Sequence, residues 1–214
     1  MKLIMIISAL KISFEVTTIS VLISFLISIV VIYSGKRNKL VETLMLLPIF
    51  IPPSAVGYMI LMFFSRNNII GKTFSDFGVE VIFSKLGAII VSIIVTLPIM
   101  YQTISTATRS IDKDLINAAK ICGSNKLDIF INIILPLSKN SILTAFILSF
   151  ARSFGEFGAT ILVAGNIEGK TQTLPMLLYF FIESSQTQNA TIVLFIIIII
   201  SISMIYIYKK LQND

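Results

Sequence analysis

The sequence predicts an all-helical, polytopic membrane protein. Of the 214 residues, 56% are hydrophobic and only 13% are charged, and the mean hydropathy is +0.94. A soluble domain of this length carries far more charge. The apolar residues form near-continuous runs, which favour spanning helices over the alternating strands of a membrane barrel. We therefore expect a single transmembrane domain over residues 1–214.

Five apolar stretches approach the roughly 20 residues that a helix needs to cross a bilayer. The first and third carry no charge, and the last is almost pure isoleucine and ends in two tyrosines. The fourth is interrupted by Arg152 and Glu156. The predicted spans are 16–33, 43–64, 86–106, 141–165 and 190–208.

Prolines interrupt two of these spans. The second span contains Pro48, Pro52, Pro53 and Gly57, and the third contains Pro98. Proline removes a helix hydrogen bond and bends the chain, and such breaks are tolerated where they line a cavity or pack on protein. The prolines are compatible with a polar path beside these spans and also with an ordinary helix bundle.

Residues 3–10 are apolar but too short to span. With Lys2 ahead of them they could suggest a signal peptide, but no small-x-small cleavage pattern follows, and Lys11 and Glu15 come before the next span. An interfacial segment is the favoured interpretation.

Basic residues predict the orientation. Lysines and arginines total six in the N-terminal tail, 65–85 and 166–189, against ten in 34–42, 107–140 and the C-terminal tail. The positive-inside rule then places 107–140 and the C-terminus in the cytoplasm and the N-terminus outside. The outward-facing stretch 164–175 is either a surface for a substrate-delivery protein or an ordinary solvated loop.

The loop 107–140 predicts a short folded module between spans three and four. Asp112 or Asp114 can cap a first helix, and Gly123 suits the left-handed position that ends it. Ser124 can cap a second helix, which Pro136 stops or bends. The module is either a connector between spans or a surface for a partner outside the bilayer.

Arg152 and Glu156 lie four residues apart and so share one helix face. A charge at mid-bilayer costs about 2.5–3.5 kcal/mol, so the two side chains should face protein or water and should pair. The pair either holds helices together or borders a path in which the guanidinium meets an oxyanion. Other polar groups that could line such a path are Ser92, Thr96, Gln102, Thr103, Ser149, Ser153 and Thr160.

Small residues surround this pair. Gly155, Gly158 and Ala159 permit close helix packing, and the two glycines could instead loosen the helix as a hinge. With the pair, they complete a candidate pathway or gate made of Arg152, Ser153, Gly155, Glu156, Gly158 and Thr160.

The loop carries a recognisable pattern. It reads Asn117-Ala-Ala-Lys-Ile-Cys-Gly123, then nine residues, then Ile-Ile-Leu-Pro136. This resembles the cytoplasmic loop of ABC-transporter permeases, in which Glu usually stands where this chain has Asn117. The resemblance implies short coupling helices that dock on an ATPase subunit. The matching positions are Ala118, Ala119, Gly123, Ile133, Leu135 and Pro136, and Asn117 departs.

Three further segments narrow the resemblance. The segment from Arg152 to Thr160, the stretch 164–175 and the proline-rich 47–57 look like the molybdate permeases of that family, with tungstate and sulfate permeases as close relatives. The resemblance implies a homodimer around a central path in a prokaryotic cell membrane. It also implies an external oxyanion-binding protein and a pair of ATPase subunits, which would carry ATP and Mg²⁺.

Other functional classes find little support in the sequence. No histidine is present, the single Cys122 lies in the loop, and no Gly-rich phosphate loop occurs, so no catalytic residue, metal ligand or cofactor of this chain is predicted. The net charge of +6 comes largely from basic residues that flank spans and does not indicate nucleic-acid binding. An ion-coupled transporter or channel is the alternative of another class, and it would need intramembrane carboxylates, of which only Glu156 qualifies.

Overall fold

A computed structural model describes residues 2–35 and 39–213, and within them the regular structure is helical throughout. Lys36 and Arg37, which entered the charge count for 34–42, lie outside the described residues. The helices in the first half of the chain are α1 (Lys2–Ser34), α2 (Lys39–Phe50), α3 (Pro53–Phe64), α4 (Ile69–Asp76) and α5 (Lys85–Arg109). The second half contains α6 (Lys113–Ile121), α7 (Lys126–Ile129), a π-helical turn (Phe130–Ile134), α8 (Leu135–Leu137), α9 (Lys139–Phe154), α10 (Gly158–Ala164), α11 (Leu174–Glu183) and α12 (Thr187–Asn213).

The all-helical membrane fold is confirmed. Three single helices are long and apolar enough to cross a bilayer, namely α1, α5 and the stretch Thr187–Leu211 of α12. Two bent pairs raise the number of candidate spans to five: α2 with α3, and Lys126–Leu137 with α9. The predicted total of five therefore requires that each bent pair counts as one span.

The first helix is longer than expected. Residues 3–10 are not a separate interfacial segment, because α1 runs without a break from Lys2 to Ser34. Nothing between Leu3 and Glu15 is a proline or glycine that would end it. Glu15 does not interrupt the helix, since Lys85 at the start of α5 donates to its carboxylate at 2.9 Å.

The second predicted span, 43–64, is broken in the middle. The helices α2 and α3 meet at an angle of 120°, with Ile51 and Pro52 between them. Pro53 cannot donate a backbone hydrogen bond to a preceding turn but is well suited to start a new helix. The consecutive prolines thus end one helix and begin the next.

The fourth predicted span, 141–165, is also broken. Helix α9 ends at Phe154 and α10 begins at Gly158. On its other side α9 meets the segment Lys126–Leu137 at 69°. Part of the loop predicted at 107–140 therefore forms an apolar helical segment that leads into α9.

A stripe of small hydroxyl residues joins α1 to α5. The Ser20 hydroxyl donates to the Ile89 carbonyl at 3.2 Å, and the Ser24 and Thr96 hydroxyls lie 2.8 Å apart. Small residues let helices approach closely in a membrane, where apolar burial drives association only weakly. The stripe is wholly buried and follows helical spacing along α1 at Ser13, Thr17, Ser20, Ser24 and Ser28.

The loop predicted at 166–189 contains a buried helix. Leu174 and Leu177 of α11 pack against Met5 and Ala9 of α1 in one apolar cluster. The backbone N–H of Leu174 donates to the Ser13 hydroxyl at 2.8 Å, which satisfies an otherwise open helix start. At the beginning of the predicted loop only residues 166–170 are exposed, since Thr171 is fully buried.

Candidate functional site

The predicted ion pair forms at the break between α9 and α10. Arg152 Nη1 lies 2.7 Å from Glu156 Oε2, with the Glu156 side chain 3% exposed and the Arg152 side chain 35% exposed. The carboxylate is thus shielded while the guanidinium reaches the surface. Of the two charges, the arginine is the one that another molecule can contact.

Glu156 also holds the backbone of the next helix. Its second carboxylate oxygen, Oε1, accepts a hydrogen bond from the Ala159 N–H at 3.0 Å. A carboxylate at a helix start satisfies an open backbone donor and interacts well with the helix dipole. The same side chain therefore neutralises Arg152 and caps α10.

The two broken spans meet at this point. A Cβ atom added at Gly57 of α3 would lie 2.7 Å from the Ala159 Cα and 2.8 Å from its carbonyl oxygen. Only glycine permits this approach, because real Cβ atoms do not come so close to backbone. The proline-rich segment 47–57 and the glycine-rich segment 152–160, far apart in sequence, thus form one contact.

The two glycines of the candidate gate have different environments. Gly155 is exposed and ends α9, and an added Cβ would meet only the carbonyl of Ala151 at 3.6 Å. Gly158 faces Pro53 of α3, where an added Cβ would make an ordinary contact of 3.6 Å. The close packing predicted for Gly155, Gly158 and Ala159 is found at Ala159, and its partner is Gly57, which the sequence analysis named only as one of the interruptions of the second span.

Hydroxyl groups beside the pair lie between helices of the subunit. The Ser153 hydroxyl is hydrogen-bonded to Ser92 and donates to Thr17 at 3.1 Å, so it joins α9, α5 and α1. Thr160 is buried and Gln102 is exposed. The candidate path residues that the structure buries are Ser92, Thr96, Ser149, Ser153 and Thr160.

The coupling segment, defined here as residues 113–137, begins with a capped helix. Asp112 accepts a hydrogen bond from the Asp114 N–H at 2.9 Å and so caps α6. Gly123 has the left-handed φ of +87° that was predicted for the helix end. The predicted cap at Ser124 is wrong, because Asn125 accepts hydrogen bonds from Leu127 and Asp128 and occupies that position.

Helix α6 projects from the bundle. None of its residues is buried, and Ile121 is 87% exposed. Among the seven positions of the resemblance, Ala119, Ile133 and Leu135 are half-buried, and the exposed ones are Asn117, Ala118, Gly123 and Pro136. An amphipathic helix that leaves a large aliphatic side chain in water has a surface that a partner can cover.

Lys126 ties the coupling segment to the end of α1. Its ammonium group donates to the Ser34 carbonyl at 3.1 Å and lies 4.7 Å from the centre of the Tyr33 ring. The Tyr33 ring also meets Phe130 edge to face at 5.2 Å between centres. A cation at a helix C-terminus satisfies its last carbonyls, so α1 and α7 are linked without burying charge.

The described residues offer no group of three or more His, Cys, Asp or Glu side chains that could hold a metal ion.

Comparisons with known proteins agree with this architecture. A chain of a bacterial ABC transporter involved in the import of the acidic polysaccharide alginate superposes with a TM-score of 0.78 at 17% identity, covering 97% of this chain and 79% of the other. At this identity the match concerns the fold alone.

Two relatives in sequence are more informative. The molybdenum transport system permease protein ModB of Haemophilus influenzae is 36% identical over 97% of this chain and 95% of its own length. YvgM of Bacillus subtilis, provisionally assigned as a molybdenum transport permease, is 42% identical over 67% of this chain, and the match spans 63% of YvgM.

A family match covers most of the chain. Residues 20–213 match the family described as the inner membrane component of binding-protein-dependent transport systems. The match includes the coupling segment, both broken spans and the Arg152–Glu156 pair. The chain therefore belongs to the family of binding-protein-dependent transport system inner membrane components.

Proposed function

We propose that this chain is the membrane-spanning permease subunit of an ATP-driven ABC importer that moves molybdate into the cell. The observation that carries the proposal is the 36% identity to a molybdenum transport permease along nearly the whole length of both chains. The family membership supports the transport class independently of the substrate.

The Arg152–Glu156 pair suits an oxyanion path. Arg152 Nη1 lies 2.7 Å from Glu156 Oε2, and the guanidinium has five N–H donors in a planar fork, more than one carboxylate oxygen can accept. Since Arg152 is 35% exposed, unused donors can face a passing tetrahedral anion. The buried carboxylate lowers the net positive charge of the pair, so the anion is attracted only weakly and can leave again.

The coupling segment suits docking to a separate ATPase. Helix α6 exposes Ile121 and the small residue Ala118, and Gly123 is exposed just after the helix, so a groove on another protein can approach closely. In this proposal two ATPase subunits bind ATP and Mg²⁺ on the cytoplasmic side, and this chain carries no catalytic residue or cofactor. Asn117 provides an amide where related loops provide a carboxylate, so that contact is a neutral hydrogen bond.

The remaining partners follow from the same proposal. Two copies of the chain enclose a central path in a prokaryotic cell membrane, with the N-terminus outside and the C-terminus in the cytoplasm. An external binding protein delivers the oxyanion. Closure of the ATPases on ATP moves the coupling segment and switches the path between inward-facing and outward-facing states.

An ion-coupled carrier is the alternative of another class. Such a carrier needs an intramembrane acid that gains and loses a proton or sodium ion. Glu156 is 3% exposed and both of its oxygens are occupied, one by Arg152 and one by the Ala159 N–H. This arrangement favours a fixed structural acid over a coupling group.

The test is uptake by the reconstituted system. The chain, its ATPase and its binding protein are placed in liposomes, and internal molybdenum, tungsten and sulfur are counted by mass spectrometry with and without ATP. We expect ATP-dependent molybdenum uptake. Uptake of tungsten or sulfur alone would keep the mechanism and change the substrate, and uptake driven by an ion gradient without ATP would support the carrier instead.

Variants of the ion pair then separate path from packing. Arg152→Ala removes the guanidinium, and the double variant Arg152→Ala/Glu156→Ala removes both charges. If the guanidinium meets the oxyanion, both variants lose uptake even where assembly is normal. Normal uptake by an assembled double variant would restrict the pair to packing.

A further inference from the structure

Glu42 joins two helices at the end of the bundle nearest the coupling segment. Its carboxylate oxygen Oε1 accepts a hydrogen bond from the Tyr101 hydroxyl at 2.7 Å and lies 2.7 Å from Arg109 Nη2. Both donors belong to α5, and Glu42 lies in the first turn of α2. One oxygen thus fixes the start of α2 to two points on α5 that are more than two helical turns apart.

The Glu42 carboxylate is more shielded than the carboxylates of the Lys85–Glu15 and Arg66–Glu80 ion pairs, although its partner Arg109 is 43% exposed. The Glu42 side chain is 25% exposed and Tyr101 is 4% exposed, whereas Arg66 and Glu80 form a pair of the same length with both side chains mostly in solvent. Exposed pairs contribute little, but partly buried, charge-assisted hydrogen bonds contribute more and constrain geometry. Glu42 is also the only acidic residue in the broken span α2–α3.

The position of the contact relates it to the coupling segment. Arg109 is the last residue of α5, and only residues 110–112 separate it from α6. A cavity of about 470 Å³ lies between the Glu42 cluster and α6, whose Ile116 and Lys120 form part of its wall. Because α6 is not packed tightly on the ends of α1 and α2, it can be displaced relative to them.

A continuous set of contacts leads from there to the candidate gate. Helix α2 continues through the 120° bend into α3, and α3 contacts α10 where Gly57 meets Ala159. Helix α10 is capped by Glu156, the partner of Arg152. A displacement of the end of α5 that moves α2 through Glu42 would therefore reach the gate along α2, α3 and α10.

We propose that Glu42, held by Tyr101 and Arg109, is the positioning residue that transmits movement of the coupling segment to the broken span α2–α3. This inference rests on the proposed function, since it concerns how ATP hydrolysis is linked to transport. Glu42 does not contact the oxyanion. Its loss uncouples hydrolysis from uptake and leaves the ATPase active.

The experiment measures uptake and ATP hydrolysis on the same proteoliposomes. Glu42→Gln keeps the size and the acceptor for Tyr101 but removes the charge that attracts Arg109. We expect ATP hydrolysis within about twofold of the unmodified complex and oxyanion uptake per ATP lowered at least about tenfold. The charge-swapped variant Glu42→Arg/Arg109→Glu should recover much of this ratio, while Arg109→Glu alone should not.

A matched control separates this effect from the loss of any ion pair. Glu80→Gln breaks the Arg66–Glu80 pair, which lies beyond the other end of α5, and should leave uptake per ATP unchanged. The inference is overturned if Glu42→Gln retains the normal ratio. It is equally overturned if hydrolysis, uptake and the amount of assembled complex all fall together and the charge swap restores nothing, since Glu42 would then act in packing alone.

The unmodified complex distinguishes this failure from failure of the proposed function. If it hydrolyses ATP but imports no oxyanion, the proposed function falls and the inference falls with it. If it imports an oxyanion and Glu42→Gln does so equally well per ATP, only the inference is lost.

Discussion

Two short helices of similar length have opposite relations to the rest of the molecule. Helix α6 has nine residues, none of them buried, while α10 has seven, of which Ala159, Thr160, Val163 and Ala164 are buried. In both, a carboxylate accepts a backbone N–H of the first turn: Asp112, the N-cap of α6, accepts from Asp114, and Glu156, one residue before the N-cap of α10, accepts from Ala159. Local capping is thus alike, and packing differs.

The difference indicates where each helix finds its stability. Helix α10 is held by its own chain, through α3 on one side and α5 on the other. Helix α6 has no such cover, and isolated helices of this length are marginal in water. Substitutions in α10 should therefore change the stability of the subunit, whereas substitutions in α6 should change its association with a partner.

The largest expected effect on stability is at the contact of α3 with α10. Gly57→Ala places a Cβ 2.7 Å from the Ala159 Cα, and backbone on both sides prevents an easy shift. Overpacking of this kind costs about 3 kcal/mol. Unfolding of the purified subunit in mixed detergent micelles, followed by circular dichroism, measures the loss.

Gly158→Ala is the matched control for this change. Its added Cβ would meet Pro53 at an ordinary 3.6 Å, and alanine is a better helix former than glycine. We expect a stability change within about 1 kcal/mol of zero. Equal losses at Gly57 and Gly158 would mean that the close approach of α3 to α10 does not determine stability.

The next effect concerns the cap of α10. Glu156→Ala removes the acceptor for the Ala159 N–H and leaves Arg152 without its partner, and we expect a loss of about 2 kcal/mol. Glu156→Gln can still accept the N–H, so about half of that loss should remain. Thermal unfolding measures the stability loss of each variant. Equal losses for Glu156→Ala and Glu156→Gln would show that the hydrogen bond to the Ala159 N–H contributes nothing.

Much of the fold could be predicted from the sequence, because apolar runs and breaks in them are local signals. The spans near α1, α5 and α12 coincide with continuous helices, and Pro52-Pro53 marks a true break. The sequence did not predict that residues 3–10 extend α1. The Lys85–Glu15 ion pair, which makes Glu15 compatible with that helix, joins residues far apart in sequence.

The site was predictable in part for the same reason. The Arg152–Glu156 pair follows from a spacing of four, and the left-handed Gly123 follows from its place after a helix. The burial of Ser153 against Thr17 and Ser92, and the approach of Gly57 to Ala159, depend on three helices meeting. The stripe from Ser13 to Ser28 at helical spacing was a local signal of such packing and could have been used.

A smaller effect is expected at the end of α6. Gly123→Ala forces an alanine into a φ of +87°, with no other atom within 4 Å of the added Cβ, so backbone strain of about 1 kcal/mol is the main cost. Gly78→Ala, at φ +74° with equally open surroundings, is the control. Both should lower stability alike in the unfolding assay.

The two glycine variants should differ in function. Only Gly123→Ala alters the coupling segment, so only this variant should weaken capture of the ATPase subunit in a pull-down from detergent. Equal capture by both variants would mean that the backbone conformation at Gly123 does not affect binding of the ATPase subunit. Weaker capture by Gly78→Ala would assign the effect to general instability.

The smallest effect on stability and a large effect on binding are expected together at Ile121. This side chain is 87% exposed, so Ile121→Gln should change the free energy of unfolding by less than about 0.5 kcal/mol. Ile69 in α4 is 84% exposed, and Ile69→Gln is the matched control.

If α6 is the docking surface, Ile121→Gln should weaken binding of the purified ATPase at least about tenfold, which corresponds to about 1.4 kcal/mol, and Ile69→Gln should leave that binding unchanged. Titration by biolayer interferometry measures both. Equal affinities for the two variants would mean that α6 is exposed without being a docking surface, and the contrast with α10 would then reflect only how the chain ends one span and begins the next.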